Sequence, residues 1–510
     1  MVTPGRATRR RAVIAVSVAV GAVGFTTTAI TVGTRGMAQE LSLTTVQLGW
    51  VVNAYLVTAA ALVLVGGRMG DVVGRVRTFA LGLAAFVVGS VIGAVAQGFV
   101  LLVVARVGQG IGAALILPSS IELIAQFSPT GREGSGFRWR GLVFASSFAV
   151  GPLLGGVLTD WFSWRWIFVI DAALVGVAGM VGLPLRNRPG RGTHQPTRDF
   201  AGAALVAALV AAVVLLAERL ATWTPGSVRS AVTLAVALAA GIALVRHERR
   251  TEHPLVHPFI LKDRTVLGAN VATVGASLGM LSLLYFFNLF AQSAATFDQG
   301  AVSVIVALAP FVASMALCAF LAHWLGHRIG PRVPVVLGLA LMVAGFWMLA
   351  RTSSATTSSD LVVPLALSGI GAGIANASLT SVAVLHLPAG RINEAAGWIS
   401  LSRFLGSAMA LAVGTATFLS VTATVPGAGG VPGVPEPVTS TVPADDAFDI
   451  AAAALDRDLS GPLRAATHAA TAERFARTMA MTAITLAAIT VISWWLLRPK
   501  GRVSDGAGGT

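Results

Sequence analysis

The chain has 510 residues, 55% of them hydrophobic and only 11% charged, with a mean hydropathy of +0.79. That balance excludes an ordinary soluble domain, in which about a quarter of residues carry charge. The net charge of +14, from 36 basic and 22 acidic residues, would point to nucleic acid in a soluble protein, but in an apolar chain it has a topological explanation and no such partner is expected.

Long apolar stretches recur over the whole length, at 12–33, 46–66, 77–96, 99–125, 138–159, 165–185, 200–217, 230–247, 265–290, 300–323, 333–350, 361–386, 393–420 and 475–497. About 20 helical residues at about 1.5 Å each cross a hydrocarbon layer of about 30 Å. Lipid offers no water to backbone groups, and the runs are too uniformly apolar for alternating barrel strands. The expected fold is therefore an all-α polytopic membrane protein with 14 transmembrane helices.

The first run comes after Arg6, Arg9, Arg10 and Arg11 and is read as an uncleaved first span, because it exceeds a signal core and further spans succeed it. Basic residues then recur between spans six and seven (Arg186, Arg188, Arg191, Arg198) and after span eight (Arg246, Arg249, Arg250, Lys262, Arg264). The positive-inside rule accordingly puts both termini in the cytoplasm of a cell (inner or plasma) membrane protein.

Between spans two and three lies GGRMGDVVGRVR, residues 66–77. A Walker loop needs a Lys-Ser/Thr pair and a dinucleotide fingerprint needs a preceding strand, so this is no phosphate cradle. Glycines Gly67 and Gly74 suit a sharp bend between closely packed helices. Arg68, Asp71, Arg75 and Arg77 can form charge-assisted bonds that change with conformation, so the loop reads as a latch. AHWLGHRIGPRV, residues 322–333, is a degenerate echo, with Gly330 at the place of Gly74 and His327 at that of Asp71.

Polar, proline-broken segments at 186–199 and 246–264 divide the spans six, two, six. The expected organisation is a six-helix half at 1–185, linkers with two extra helices at 186–262, a second six-helix half at 263–498 containing an extracytoplasmic loop at 421–474, and a cytoplasmic tail at 499–510. A repeated half predicts a binding site at the interface of the halves. His247, His253 and His257 suggest a metal at first sight, but Pro254 and Pro258 break any shared helical face there, so no metal is expected. The single cysteine, Cys318, excludes a disulfide framework. No cofactor motif and no nucleophile, base and acid cluster is visible, so neither cofactor nor catalytic residues are expected and the chain does not read as an enzyme.

Arg106 lies about seven residues into the fourth span, an intramembrane charge that needs a cavity and a partner. In the fifth span Ser147, Gly151, Gly155 and Thr159 recur every fourth residue and permit close helix approach, with Pro152 adding a kink. Arg403 is a further charge inside an apolar run. Glu122, near the end of span four, reads most simply as a solvated end-of-helix carboxylate.

GGRMGDVVGRVR with its upstream neighbour, LLVVARVGQGIGAALILPSS in span four, AVGPLLGG at 149–156 and SWRWIF at 163–168 together resemble the major facilitator superfamily, in its fourteen-helix drug:proton antiporter branch. The resemblance covers essentially the whole chain. It implies a secondary active exporter of hydrophobic or amphiphilic small molecules, driven by proton entry through alternating access. Arg106 then takes part in proton coupling, and Gly151, Pro152, Gly155 and Gly156 form the antiporter motif. Implied partners are a lipophilic substrate, protons and the bilayer, with the chain a monomer.

The chain departs from that branch where a first-span aspartate is usual, since Thr26 stands there; conversely Asp171 stands in span six where the branch has asparagine. Counted inward from the span ends, Thr26, Arg106 and Asp171 fall at one depth. Asp171 is either the substitute proton carrier or a static helix-end carboxylate. Phe25, Thr26, Trp50, Asn53, Tyr55, Gln109, Phe148 and Arg403 are assigned by span to a substrate cavity. An uncoupled lipid or metabolite carrier, and a transport-inactive sensor of the same fold, remain alternatives.

Overall fold

The computed structural model describes residues 6–127, 133–182, 199–219, 227–251, 263–292, 301–330, 332–384, 392–419 and 461–498. Among these it is helical throughout: α1 (Arg6–Val32), α2 (Thr34–Leu41), α3 (Thr45–Val73), α4 (Arg75–Ala94), α5 (Phe99–Phe127), α6 (Glu133–Trp161), α7 (Arg165–Gly182), α8 (Phe200–Arg219), α9 (Val228–Arg250), α10 (Arg264–Gln292), α11 (Ala301–Ile329), α12 (Arg332–Leu349), α13 (Val362–Val384), α14 (Ile392–Leu419) and α15 (Gly461–Leu497). All but the eight-residue α2 correspond to the fourteen apolar runs. Among the described residues, twelve of these helices are long and apolar enough to cross a membrane; α6 and α8 pack in the same bundle.

Each helix forms because an apolar segment can satisfy its own amides only internally. What differs between helices is how they are held. The short α2 has no apolar run of its own to announce it, but the start of α3 carries a clear signal. Thr44 accepts from the Gln47 amide and Gln47 returns the bond to Thr44, a capping box that begins the helix. The last helix begins at Gly461, well upstream of the expected 475, so its first turns extend beyond the apolar run. The 420–460 tract, most of the 186–198 linker, His253, His257, Lys262 and the tail from 499 lie outside the described residues.

One pattern of helix pairing occurs twice. In the first set α1 packs on α5, α6 and α7, α5 on α3 and α4, and α4 on α7. In the second set α10 packs on α13, α14 and α15, α13 on α11 and α12, and α12 on α15. Close approach depends on glycine in both. A Cβ on Gly89 would lie 2.7 Å from the Ala105 oxygen between α4 and α5, and one on Gly338 would lie 2.7 Å from the Gly371 oxygen between α12 and α13. The bends at Gly74 (φ 97°) and Gly330 (φ 77°) correspond, and are the positive-φ glycines among the described residues. The α8 and α9 helices pair with each other, and α8 lies against α3 and α14.

The sets meet along α3 and α14, α6 and α11, and α1 and α10. At the end of the bundle where α1 finishes, Asn288 donates to the Thr31 carbonyl (2.5 Å) and the Thr34 hydroxyl (3.2 Å), and Gln292 donates to the Val32 carbonyl (3.2 Å). At that same end the Val302 amide donates to Asp160 at 2.7 Å. These bonds tie the two sets together at that end.

Candidate functional site

The packing of α1, α3, α4, α5 and α7 brings five polar side chains to one point inside the first set. Arg106, on α5, is fully buried. Its Nε donates to the Val51 carbonyl (3.0 Å), and Nη1 donates to the Thr26 hydroxyl (3.1 Å) and to Gln109 Oε1 (2.7 Å). Gln109 Nε2 in turn donates to Ser90 Oγ (2.9 Å) and to Asp171 Oδ2 (3.1 Å). The Thr26 hydroxyl also faces the Asp171 carboxyl. Five helices therefore contribute to one network.

The network is dry. Thr26, Ser90, Gln109 and Asp171 have no exposure, and the Phe168 ring of α7 packs against Gly93 of α4. Arg106 and Asp171 are bridged through the Gln109 amide rather than paired face to face. Arg106 Nη2 and Asp171 Oδ1 have no hydrogen-bond partner among the described residues. A buried charge costs several kcal/mol unless its bonds are completed, so these two atoms are the open positions of the network. The arginine also stacks over Tyr55 at 4.4 Å, and Tyr55 meets Phe404 of α14 edge-on at 6.0 Å. The Tyr55 hydroxyl donates to the Val23 carbonyl (3.2 Å). That aromatic pair links the buried charges to the second set.

Thr26, Arg106 and Asp171, expected at one depth, do meet. Gln109, assigned by span to a substrate cavity, is instead fully buried as their bridge. Phe25 packs with Ala29 and Ile167, in contact with α6 and α7. Asn53 has no exposure, and neither amide atom finds a partner among the described residues. Trp50 is half-buried. Phe148 is buried edge-on against Phe144 at 5.0 Å, and the Arg403 guanidinium lies 5.0 Å from the Phe144 ring.

The small-residue stripe on α6 lies against α1. A Cβ on Gly155 would come 2.9 Å from the Ala29 oxygen, and one on Gly151 3.1 Å from the Phe25 oxygen. Gly156 and Pro152 are buried in the same helix. The α1 and α6 backbones are as close as glycine allows.

In the latch loop, Gly67 faces Pro118, and Gly74 makes the left-handed bend that ends α3. Arg75 Nε pairs with Glu122 at 2.8 Å. Glu122 is only 5% exposed, which overturns the solvated end-of-helix reading: it pairs across the bend with Arg75 of α4. The Asp71 and His327 side chains lie outside the described residues. Arg68 is half-buried.

A clasp with no signal in the sequence ties α2 to α7. Trp164 Nε1 donates to Glu40 Oε2 (2.7 Å), Arg165 pairs with the other oxygen of Glu40, and Arg165 Nη2 donates to the Ala96 carbonyl (2.8 Å). The Arg165 guanidinium holds the Glu40 carboxyl below its ordinary value of 4.5.

A model of the Major Facilitator Superfamily matches residues 14–411. The chain is 30% identical over 395 residues to EfpA of Mycobacterium tuberculosis, described as an uncharacterized MFS-type transporter, covering 75% of this chain and 72% of the relative. It is 32% identical over 314 residues to the lincomycin resistance protein of Streptomyces lincolnensis, covering 62% and 64%. Among solved structures it superposes on a bacterial homolog of the human lysosomal transporter Spinster, captured inward-facing and unoccupied, with a TM-score of 0.67 at 15% identity, covering 97% of this chain and 98% of that one. The chain belongs to the major facilitator superfamily, and it is a multi-pass transporter rather than an enzyme.

Proposed function

We propose that this member of the major facilitator superfamily exports hydrophobic or amphiphilic small molecules from the cytoplasm in exchange for protons. The two sets of six helices, 1–185 and 263–498, act as halves that rock about a site between them, with α8 braced across α3 and α14 and α9 paired on α8. Resistance to lincomycin in the Streptomyces relative's name supports an efflux role at the level of the family. With both termini cytoplasmic, the end tied by Asn288 and Gln292 faces outward.

The observation that carries the coupling mechanism is the enclosed network of Arg106, Gln109, Thr26 and Asp171. In this reading Asp171 is the proton carrier that stands in for the acid absent at Thr26. Arg106 favours the ionised carboxylate through the Gln109 bridge, and protonation frees Gln109 and Arg106 to re-pair. The Tyr55 and Phe404 contact passes that rearrangement to α14. The latch at Gly67, Arg68, Asp71, Gly74 and Arg75, closed on Glu122, holds the cytoplasmic end of α3 and releases it during the cycle. The tight α1 and α6 contact at Gly151, Pro152, Gly155 and Gly156 keeps protons from leaking past the network.

The test is proton movement in proteoliposomes holding the purified protein and an internal pH dye, challenged with lipophilic cations, macrolides, lincosamides and bile salts. Substrate-induced proton flux through at least one of them is expected. Substrate uptake indifferent to an imposed pH gradient would replace antiport with uncoupled carriage.

A further inference from the structure

We propose that Arg140 of α6 and Arg403 of α14 together bind the anionic group of the transported molecule, making this an exporter of amphiphilic anions. The inference rests on the exporter reading and specifies its substrate.

In sequence Arg140 is inconspicuous, since it stands a few residues into the fifth apolar run and passes for a boundary charge. In the structure its Nε donates to the Ser120 hydroxyl (2.8 Å) and Nη2 approaches the Leu117 carbonyl (3.5 Å), which fixes the guanidinium plane against α5. Among the described residues Nη1 makes no further hydrogen bond. Arg403 reaches the same place from the other half, its guanidinium 5.0 Å from the Phe144 ring one helical turn along α6 from Arg140. Both cations therefore flank one turn of α6. Among the described residues no carboxylate pairs with either, and Arg403 Nε is buried without a hydrogen-bond partner.

Two like charges, partly buried, held by opposite halves and without a carboxylate partner among the described residues, repel until an anion enters between them. Guanidinium groups offer forked donors that fit carboxylate, sulfonate or phosphate oxygens. The edge-on pair of Phe144 and Phe148 supplies an apolar wall beside them. A molecule with an aromatic or aliphatic body and one anionic group satisfies both features. Because Arg403 precedes Phe404, which touches Tyr55 over Arg106, a bound anion sits one residue from the aromatic link to the proton network. Occupancy and proton state are thereby coupled through a short path.

The experiment uses two dyes with the same fused-ring body and opposite charge: fluorescein, an anion, and a rhodamine ester, a cation. Fluorescence anisotropy is measured on the full chain in nanodiscs of zwitterionic lipid. Fluorescein should bind more tightly than the rhodamine. Arg140→Gln and Arg403→Gln should each weaken fluorescein binding at least about tenfold, as expected when one charge-assisted contact is lost. Arg140→Lys and Arg403→Lys should retain most of the binding, which separates loss of charge from loss of fold. Absent fluorescein binding, preference for the rhodamine, or affinity unchanged in the double Gln variant would each overturn the assignment. Transport is read separately in proteoliposomes. Fluorescein that binds through both arginines yet is never carried leaves the site intact and removes the exporter reading, while a carried rhodamine with no fluorescein binding does the reverse.

Discussion

Gly66 begins the latch loop, and the structure allots it no room for a side chain. A Cβ there would lie 2.1 Å from the Ala114 carbonyl oxygen, 2.9 Å from its carbon and 3.2 Å from the Leu115 Cα, all backbone atoms of α5. An ordinary carbon-to-oxygen contact is about 3.3 Å, so Gly66→Ala must push α3 and α5 apart by roughly 1 Å. Overpacking of this kind costs about 3 kcal/mol, because a helix backbone cannot step aside as a side chain can. The gain in helix propensity returns about 1 kcal/mol, leaving a net loss of about 2 kcal/mol. Gly176 in α7 is the internal control. Nothing lies within 4 Å of its Cβ position, so Gly176→Ala should be neutral or stabilising by up to about 1 kcal/mol. Cys318 is the chain's one cysteine and is buried, so a thiol-reactive fluorogenic dye reports unfolding directly. Gly66→Ala should melt several degrees below the parent protein and Gly176→Ala should not. Equal melting of the two variants would refute the claim that backbone contact sets the spacing of α3 and α5.

Glu122→Gln should lower thermal stability by about 3 kcal/mol, because it leaves Arg75 beside a buried neutral amide, whereas the double change Arg75→Met with Glu122→Met should recover much of the loss. Dye-reported melting checks both, and a single variant as stable as the parent would deny the latch its α5 acid. The Glu40 clasp titrates below 4.5: its carboxyl is held low by Arg165, so its stabilisation is present above that value and is lost as pH falls through the depressed one. The pair is half exposed, so the effect stays below about 1 kcal/mol, and the acid-induced drop in melting temperature should be smaller in Arg165→Gln by that amount. Asn288→Ala removes two bonds at the tied end and should raise the population of the outward-open state roughly tenfold, read by spin-label distances between the ends of α1 and α10; unchanged distances would contradict the tie.

Helix number and order are legible in the sequence because lipid demands long apolar runs, and the latch echo is legible because a left-handed bend selects glycine at both Gly74 and Gly330. The shared depth of Thr26, Arg106 and Asp171 comes from helical rise alone. Direction around the helix does not. A span that meets lipid on one side and packed helices on the other is apolar all round, so periodicity cannot tell whether Gln109 faces a cavity or Asp171. The same blindness hides the approach of Arg403 to the Phe144 turn of α6, since the two helices belong to different sets. Glu122 misleads because an acid near a helix end is solvated in most settings, and its burial comes from Arg75 across a bend in another helix.

If Asp171 carries the exchanged proton within the Arg106 network, coupling must vanish when its carboxyl is removed. Proteoliposomes bearing Asp171→Asn, loaded with a pH dye and given a substrate that the parent protein moves, test this most directly. Substrate should still bind while substrate-driven proton flux and pH-driven uphill accumulation both disappear. Proton flux and accumulation equal to those of the parent protein would contradict the proton-carrier role and leave Asp171 a static member of the network.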